Sequence, residues 1–163
     1  MDRLWSPWRL PYVIGAKTDE GCVFCNALTR SESAALVLWN GDTSFVILNL
    51  YPYNNGHLMV VPKRHTASLT SLSEAELCEI ALLTQRSEVA LTEAYHPHGI
   101  NVGVNIGRAA GAGVVDHVHV HLLPRWYGDS SFISSIGDTR VIPEELSQTA
   151  HRLRPIFARL LKG

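Results

Sequence analysis

His117-Val118-His119-Val120-His121-Leu122-Leu123 alternates polar and apolar side chains at a period of two. That period belongs to a β-strand, whose successive side chains point to opposite faces. The strand is read over 116–123, with three imidazoles on one face and Val118, Val120 and Leu122 turned into a core. One metal ion shared by all three imidazoles fits poorly. Alternate residues lie about 6.6–6.8 Å apart along a strand, so His117 and His121 are about 13 Å apart at the backbone. Different tasks for the three histidines follow.

The rest of the chain supplies a sheet for that strand. Short β-type runs at 36–39 and 44–50 flank Asn40-Gly41-Asp42, a hairpin turn signal. A third run, 57–61, follows the turn 51–56 and stops at Pro62. Ser73 and Glu76 form a capping box, with Leu72 and Leu77 placed for a hydrophobic staple. Leu77, Ile80, Ala81, Thr84 and Leu91 then recur at helical spacing until Pro97 and Gly99, and Cys78 reads as core on this helix. A fourth strand is expected over 100–106, followed by a glycine-rich connection over 107–113. Pro143, Glu144 and Glu145 open a last helix through Leu153, which Pro155 kinks or interrupts. The fold class is α+β: a mainly antiparallel sheet of about five strands, a long helix and a C-terminal helix. The order of the strands stays open.

The chain has 163 residues, a single-domain length, with 14 Lys plus Arg against 15 Asp plus Glu. A net charge of −1 argues against a nucleic-acid binder, whose footprint is a strongly basic face. No apolar run suits a bilayer span or a signal peptide. Residues 1–20, rich in Trp and Pro, read as an extended arm. The three cysteines, Cys22, Cys25 and Cys78, make no disulfide framework, so a reducing cytoplasm is expected. Cys22-Val23-Phe24-Cys25 has instead the spacing of a zinc half-site.

The histidine run resembles the motif of the histidine-triad (HIT) superfamily of nucleotide hydrolases and transferases. FVILNLYPYNNGHLMVVPKRH over 45–65 is similar to that family's first half-site. NVGVNIG over 101–107 and AGAG over 110–113 resemble its phosphate side. LWSPWRLPYV, PRWYGDSSF and VIP are similar to the branch that includes bacterial diadenosine tetraphosphate phosphorylases. The resemblance implies one HIT domain over 1–163, with the arm at 1–20 and a C-terminal extension at 124–163. It implies that His119 attacks an α-phosphorus and forms a nucleotidyl-histidine. A neutral imidazole is a competent nucleophile near pH 7. His121 would stabilise phosphoryl charge or handle the leaving group's proton. His57 would lie beside the nucleophile as the third catalytic histidine. Asn105 would donate to the phosphate, Asn49 would meet the ribose, and the turn holding Gly111 and Gly113 would offer backbone N–H groups.

By the same resemblance, His65 and His117 complete a structural zinc site with Cys22 and Cys25. The substrate expected is a dinucleoside polyphosphate or related purine nucleotide. Phosphate or water would be the acceptor, and a homodimer the working state. A nucleotide sensor with little turnover and a nucleoside phosphoramidate hydrolase are the alternatives. Many family members carry Gln or Ser where this chain has Gly113. The smaller residue leaves room for an anionic acceptor, so phosphate is expected to accelerate breakdown and yield ADP. Lys63, Arg64, Arg108 and Arg125 could add positive field for a polyphosphate. Trp5, Trp8 and Trp126 read mainly as packing residues.

Overall fold

A computed structural model describes residues 21–29, 36–129 and 144–161. The expected arm with Trp5 and Trp8 lies outside these residues, as does the proposed opening of the last helix at Pro143. The described elements are α1 (Val23–Ala27), β1 (Val37–Asn40), β2 (Ser44–Leu48), β3 (Leu58–Pro62), α2 (Glu74–Tyr95), β4 (Gly99–Val104), β5 (Val120–Arg125) and α3 (Leu146–Leu161). Among the described residues the strands form one sheet in the order β1-β2-β3-β5-β4. Every neighbouring pair is antiparallel. The last strand thus inserts between β3 and β4, leaving β4 as an edge. None of the described helices is long and apolar enough to cross a membrane.

Both faces of the central strands are covered. Val46, Leu48, Leu58, Val60, Val120 and Leu122 pack against α2 and α3, where Leu83, Leu91, Leu153 and Phe157 fill the main core. Phe45, Ile47, Met59 and Val61 face the other way, onto Phe24 and Ala27 of α1. Two-sided burial explains why β2 and β3 read as unbroken apolar runs.

The histidine segment departs from the expected strand. β5 starts only at Val120, so His117 and His119 precede the ladder. The reason is a competing hydrogen bond: Val118 N–H donates to the Thr66 carbonyl at 2.7 Å, away from the sheet. The alternation survives even so, because Val118, Val120 and Leu122 all enter the main core.

Helix α2 has the predicted capping box. Ser73 Oγ accepts the Glu76 N–H at 3.3 Å, and Glu76 Oε2 accepts the Ser73 N–H at 2.7 Å. Arg64 also grips Glu76, through Nε at 2.9 Å and Nη2 at 2.8 Å. Its hydrogen bonds lead in holding that carboxyl at about 2. This grip turns Glu76 inward and rotates the helix relative to the expected stripe. The buried positions are Glu76, Ile80, Leu83, Ser87, Ala90 and Leu91. Leu77, Ala81 and Cys78 face outward instead, so neither the buried staple nor a core role for Cys78 holds. The helix stops at His96, whose φ of 45° is left-handed, before Pro97 is reached.

Helix α3 continues past Leu153 without interruption and carries Pro155 inside it. Pro155 lacks the N–H that would reach the His151 carbonyl. His151 and Pro155 are both exposed, so that carbonyl lies on the solvent side of the helix, where its lost partner costs least.

Gly56 links the fold to the site, since it precedes His57 in a tight turn. Its φ is +71°, and a Cβ there would lie 3.1 Å from both Leu91 and Tyr95. A Gly56→Ala substitution combines left-handed strain with overpacking. It should destabilise the fold by about 2–4 kcal/mol, read from urea unfolding at constant m.

Candidate active site and metal cluster

Four imidazoles carry the site, and their hydrogen bonds fix where each proton sits. His119 is 4% exposed, and its Nδ1 lies 2.9 Å from the main-chain carbonyl of His117. A carbonyl only accepts, so Nδ1 carries the proton and Nε2 keeps a lone pair. His57 is 1% exposed, and its Nδ1 accepts the Tyr53 backbone N–H at 3.1 Å. The Asn49 amide nitrogen approaches the same atom at 3.3 Å. The His57 proton therefore sits on Nε2, which lies 3.0 Å from His121 Nδ1. His121 accepts there and carries its own proton on Nε2. The rings of His119 and His121 meet edge to face, with centroids 4.6 Å apart. His57 thus bonds to His121, and it also lies near enough to His119 for that ring to act on it electrostatically.

Low solvation keeps these rings neutral. Burial, followed by repulsion from His121 and His119, pushes His57 down to about 3. Burial and then His119 push His121 down to about 4. Burial also lowers His119, against the opposing effect of its bond to the His117 carbonyl.

The residues that the resemblance assigns to phosphate follow β4. Its register pairs Gly103 with His121 and Val104 with Val120, and Asn105 and His119 are the residues next to that last pair. The chain then turns through left-handed Gly107 and Gly111, at φ 82° and 86°, around a short 3-10 turn at Arg108–Ala110. Gly111 and Gly113 are both exposed. Asn49 is held at the site by the turn that follows it. Its Oδ1 accepts the Tyr51 N–H at 2.9 Å, which aims its NH2 group at His57.

Three of the four proposed cations are engaged elsewhere. Arg125 holds Asp129 through two bonds, at 2.6 and 2.9 Å, four residues beyond His121. Arg64 is bound to Glu76, and Lys63 donates to the Gly41 carbonyl. Arg108 alone sits in the glycine-rich turn. Trp126 packs edge-on against Tyr95, as a packing residue should.

Cys22, Cys25, His65 and His117 come together with all four donor atoms within 4.8 Å of one another. Cys22 Sγ is 3.2 Å and Cys25 Sγ 3.7 Å from His117 Nδ1, and Cys25 Sγ is 3.3 Å from His65 Nδ1. Zinc bonds of about 2.3 Å to sulfur and 2.0–2.1 Å to nitrogen put tetrahedral neighbours about 3.3–3.8 Å apart. The donor chemistry fits as well. His117 Nε2 donates to the Pro62 carbonyl at 2.8 Å, leaving the Nδ1 lone pair aimed at the thiols. Cys25 and His65 are exposed, so the cluster lies at the surface although four protein donors would close the coordination shell.

Residues 30–127 match the HIT domain family. The chain belongs to the HIT family. It is 40% identical over 167 residues to a Mycobacterium tuberculosis protein named AP-4-A phosphorylase, covering 98% of this chain and 86% of that protein. A zinc-bound histidine triad family protein from Mycobacterium smegmatis has 33% identity and a TM-score of 0.69, over 86% of this chain and 95% of its own. A hypothetical histidine triad nucleotide-binding protein from Sulfolobus tokodaii has 28% identity and a TM-score of 0.70, over 85% and 93%.

This HIT protein uses two residues that sequence reasoning passed over. Phe24 sits 4.8 Å from the His119 ring and 5.4 Å from that of His117, joining the cysteine turn to the histidine run. Its place inside Cys-x-x-Cys was the available signal. Tyr53 acts through its backbone N–H, to which no residue type points.

The depressed values of His57 and His121 carry a stability signature. Unfolded, each titrates near about 6.5, so below that pH the unfolded chain binds more protons. Stability is full above about 6.5 and falls as pH drops toward the folded values. Urea unfolding should show a loss of about 1–3 kcal/mol per pH unit between pH 6.5 and 5. A flat profile across that window would count against the buried, neutral pair.

Proposed function

We propose that this HIT protein transfers a nucleotidyl group from a dinucleoside polyphosphate, of which diadenosine tetraphosphate is the type, through His119. The observation that carries the reading is the His117 carbonyl on His119 Nδ1, which leaves the Nε2 lone pair as nucleophile. Nε2 attacks the α-phosphorus, the bond to the bridging oxygen breaks, and the nucleoside polyphosphate departs with the electron pair. The nucleotidyl-imidazolium keeps its Nδ1 proton on the carbonyl, which stabilises the new charge. His121 Nε2–H, the Asn105 amide and N–H groups of the turn at Gly111 and Gly113 hold the phosphoryl oxygens. Phosphate or water then takes the nucleotidyl group and restores His119.

Cys22, Cys25, His65 and His117 would hold one zinc, whose chemistry there is structural: it stabilises two thiolates and ties α1 to the histidine run. His117 would then be anchored on both ring nitrogens while its carbonyl aligns the nucleophile. The cytoplasm suits these thiols. A homodimer would cover the apolar side chains left outside, Leu77, Leu82 and Val89 on α2 with Val102 on the open edge of β4.

Diadenosine tetraphosphate labelled at the α-phosphates should leave acid-labile label on His119. His119→Ala should abolish that label and lower turnover by about 10³-fold or more, with nucleotide binding retained. His121→Ala should cost about 10²–10³-fold. Binding without label or products would make the chain a nucleotide sensor. Faster release from a nucleoside phosphoramidate would make it a phosphoramidate hydrolase.

Metal analysis of protein purified without chelator should give about one zinc per chain. Cys22→Ser should lower Tm by about 5 °C or more while the remaining folded enzyme still turns over. Full activity in zinc-free protein would remove the metal from the reading.

A further inference from the structure

We infer that the strip of β4 and β5 leading from His121 to Tyr127 is the subsite for the second nucleoside of the dinucleoside polyphosphate. The inference rests on the nucleotidyl-His119 reading and names where the far end of that substrate docks. The antiparallel register pairs His121 with Gly103, Leu123 with Asn101 and Arg125 with Gly99. Directly paired residues share a face, so these pairs line one path along the histidine face. Val120, Leu122 and Pro124 alternate with them and are buried on the other side.

Two residues of that path have no structural reason to be glycine. A Cβ on Gly99 or Gly103 would meet nothing within 4 Å, and neither backbone is left-handed. Glycine weakens a strand, and it often marks where a ligand or another backbone comes close. The apolar surface that a homodimer would cover lies on the opposite face, since Val102 pairs with Leu122, which enters the main core. The lane is left for a ligand.

Its chemistry is that of a nucleoside site rather than a phosphate site. Arg125 is neutralised by Asp129, and it also steers the Asn101 amide, whose Oδ1 accepts its Nη1 at 3.0 Å. The exposed Asn101 NH2 has no partner among the described residues and is a donor for a ribose oxygen or a base. Past Arg125, the Tyr127 N–H donates to His98 Nδ1 at 2.8 Å, and the two rings stack with centroids 4.5 Å apart. Tyr127 is 88% exposed, so its ring is backed by His98 on one face and open on the other. An open aromatic face held in this way is a platform for a base. Four residues of strand put Arg125 about 13 Å from His121, with Tyr127 two residues further on. A tetraphosphate and a ribose span that interval, whereas a diphosphate bridge falls short.

The test compares diadenosine tetraphosphate with adenosine 5′-tetraphosphate, which has the same four phosphates and no second nucleoside. Tyr127→Ala should raise the KM for the dinucleotide by about tenfold and leave that for the mononucleotide unchanged. Tyr127→Phe retains the stack and should retain the KM. Gly99→Val, which fills the lane, should act as Tyr127→Ala does. Equal KM changes for both substrates, or none, overturn the inference. A Gly99→Val chain that changes its oligomeric state at an unaltered KM assigns the lane to a second copy and overturns it as well. Label on His119 from both substrates separates these failures from that of the underlying reading. Absence of label from either refutes that reading, and the subsite with it.

Discussion

The hydrogen bond from His119 Nδ1 to the carbonyl of His117 is the constraint on which the site depends. One residue presents three groups to three neighbours. The Nδ1 of His117 faces the thiols of α1, its Nε2 holds the Pro62 carbonyl at the end of β3, and its own carbonyl sets the tautomer of His119. Were the His117 backbone inside the β5 ladder, that carbonyl would be shared with a strand partner. Delaying the strand until Val120 is what leaves it available.

The sheet is arranged around that irregular segment. Insertion of β5 between β3 and β4 puts His121 beside Met59 on one side and Gly103 on the other. Glycine at that neighbour leaves open space on the histidine face. The two-sided core holds β3 and β5 rigid, and rigidity counts because imidazole tasks are decided by contacts near 3 Å. Buried neutral rings cost stability in acid, yet burial also favours the unprotonated form of His119, the proposed nucleophile.

Much of this was legible in the chain. The alternation around His119 gave the inward and outward faces correctly, even though the strand itself begins later. The capping box at Ser73 and Glu76 marked the start of the long helix, and turn residues separated the first three strands. Cys22 and Cys25 declared a half-site by spacing alone, while His65 and His117 came from the family resemblance. The rotation of α2 was not legible, because Leu77 and Ala81 suit either face until Arg64 draws Glu76 inward. Nor were the partners of Arg125 and Lys63, since sequence records a charge but not its neighbour.

The sequence by itself determined the α+β class, the inward and outward faces of the histidine run, and the residue types available for nucleophile and metal. Those properties are local: period, cap and turn chemistry act over a few neighbouring residues. Tertiary structure decided which nitrogen of each imidazole carries its proton. The deciding groups are backbone atoms of Tyr53, Pro62 and His117 and the amide of Asn49, brought to the rings by sheet register and turn geometry. Every residue but proline offers the same N–H and every residue the same C=O, so only their placement in space gives the four histidines different work.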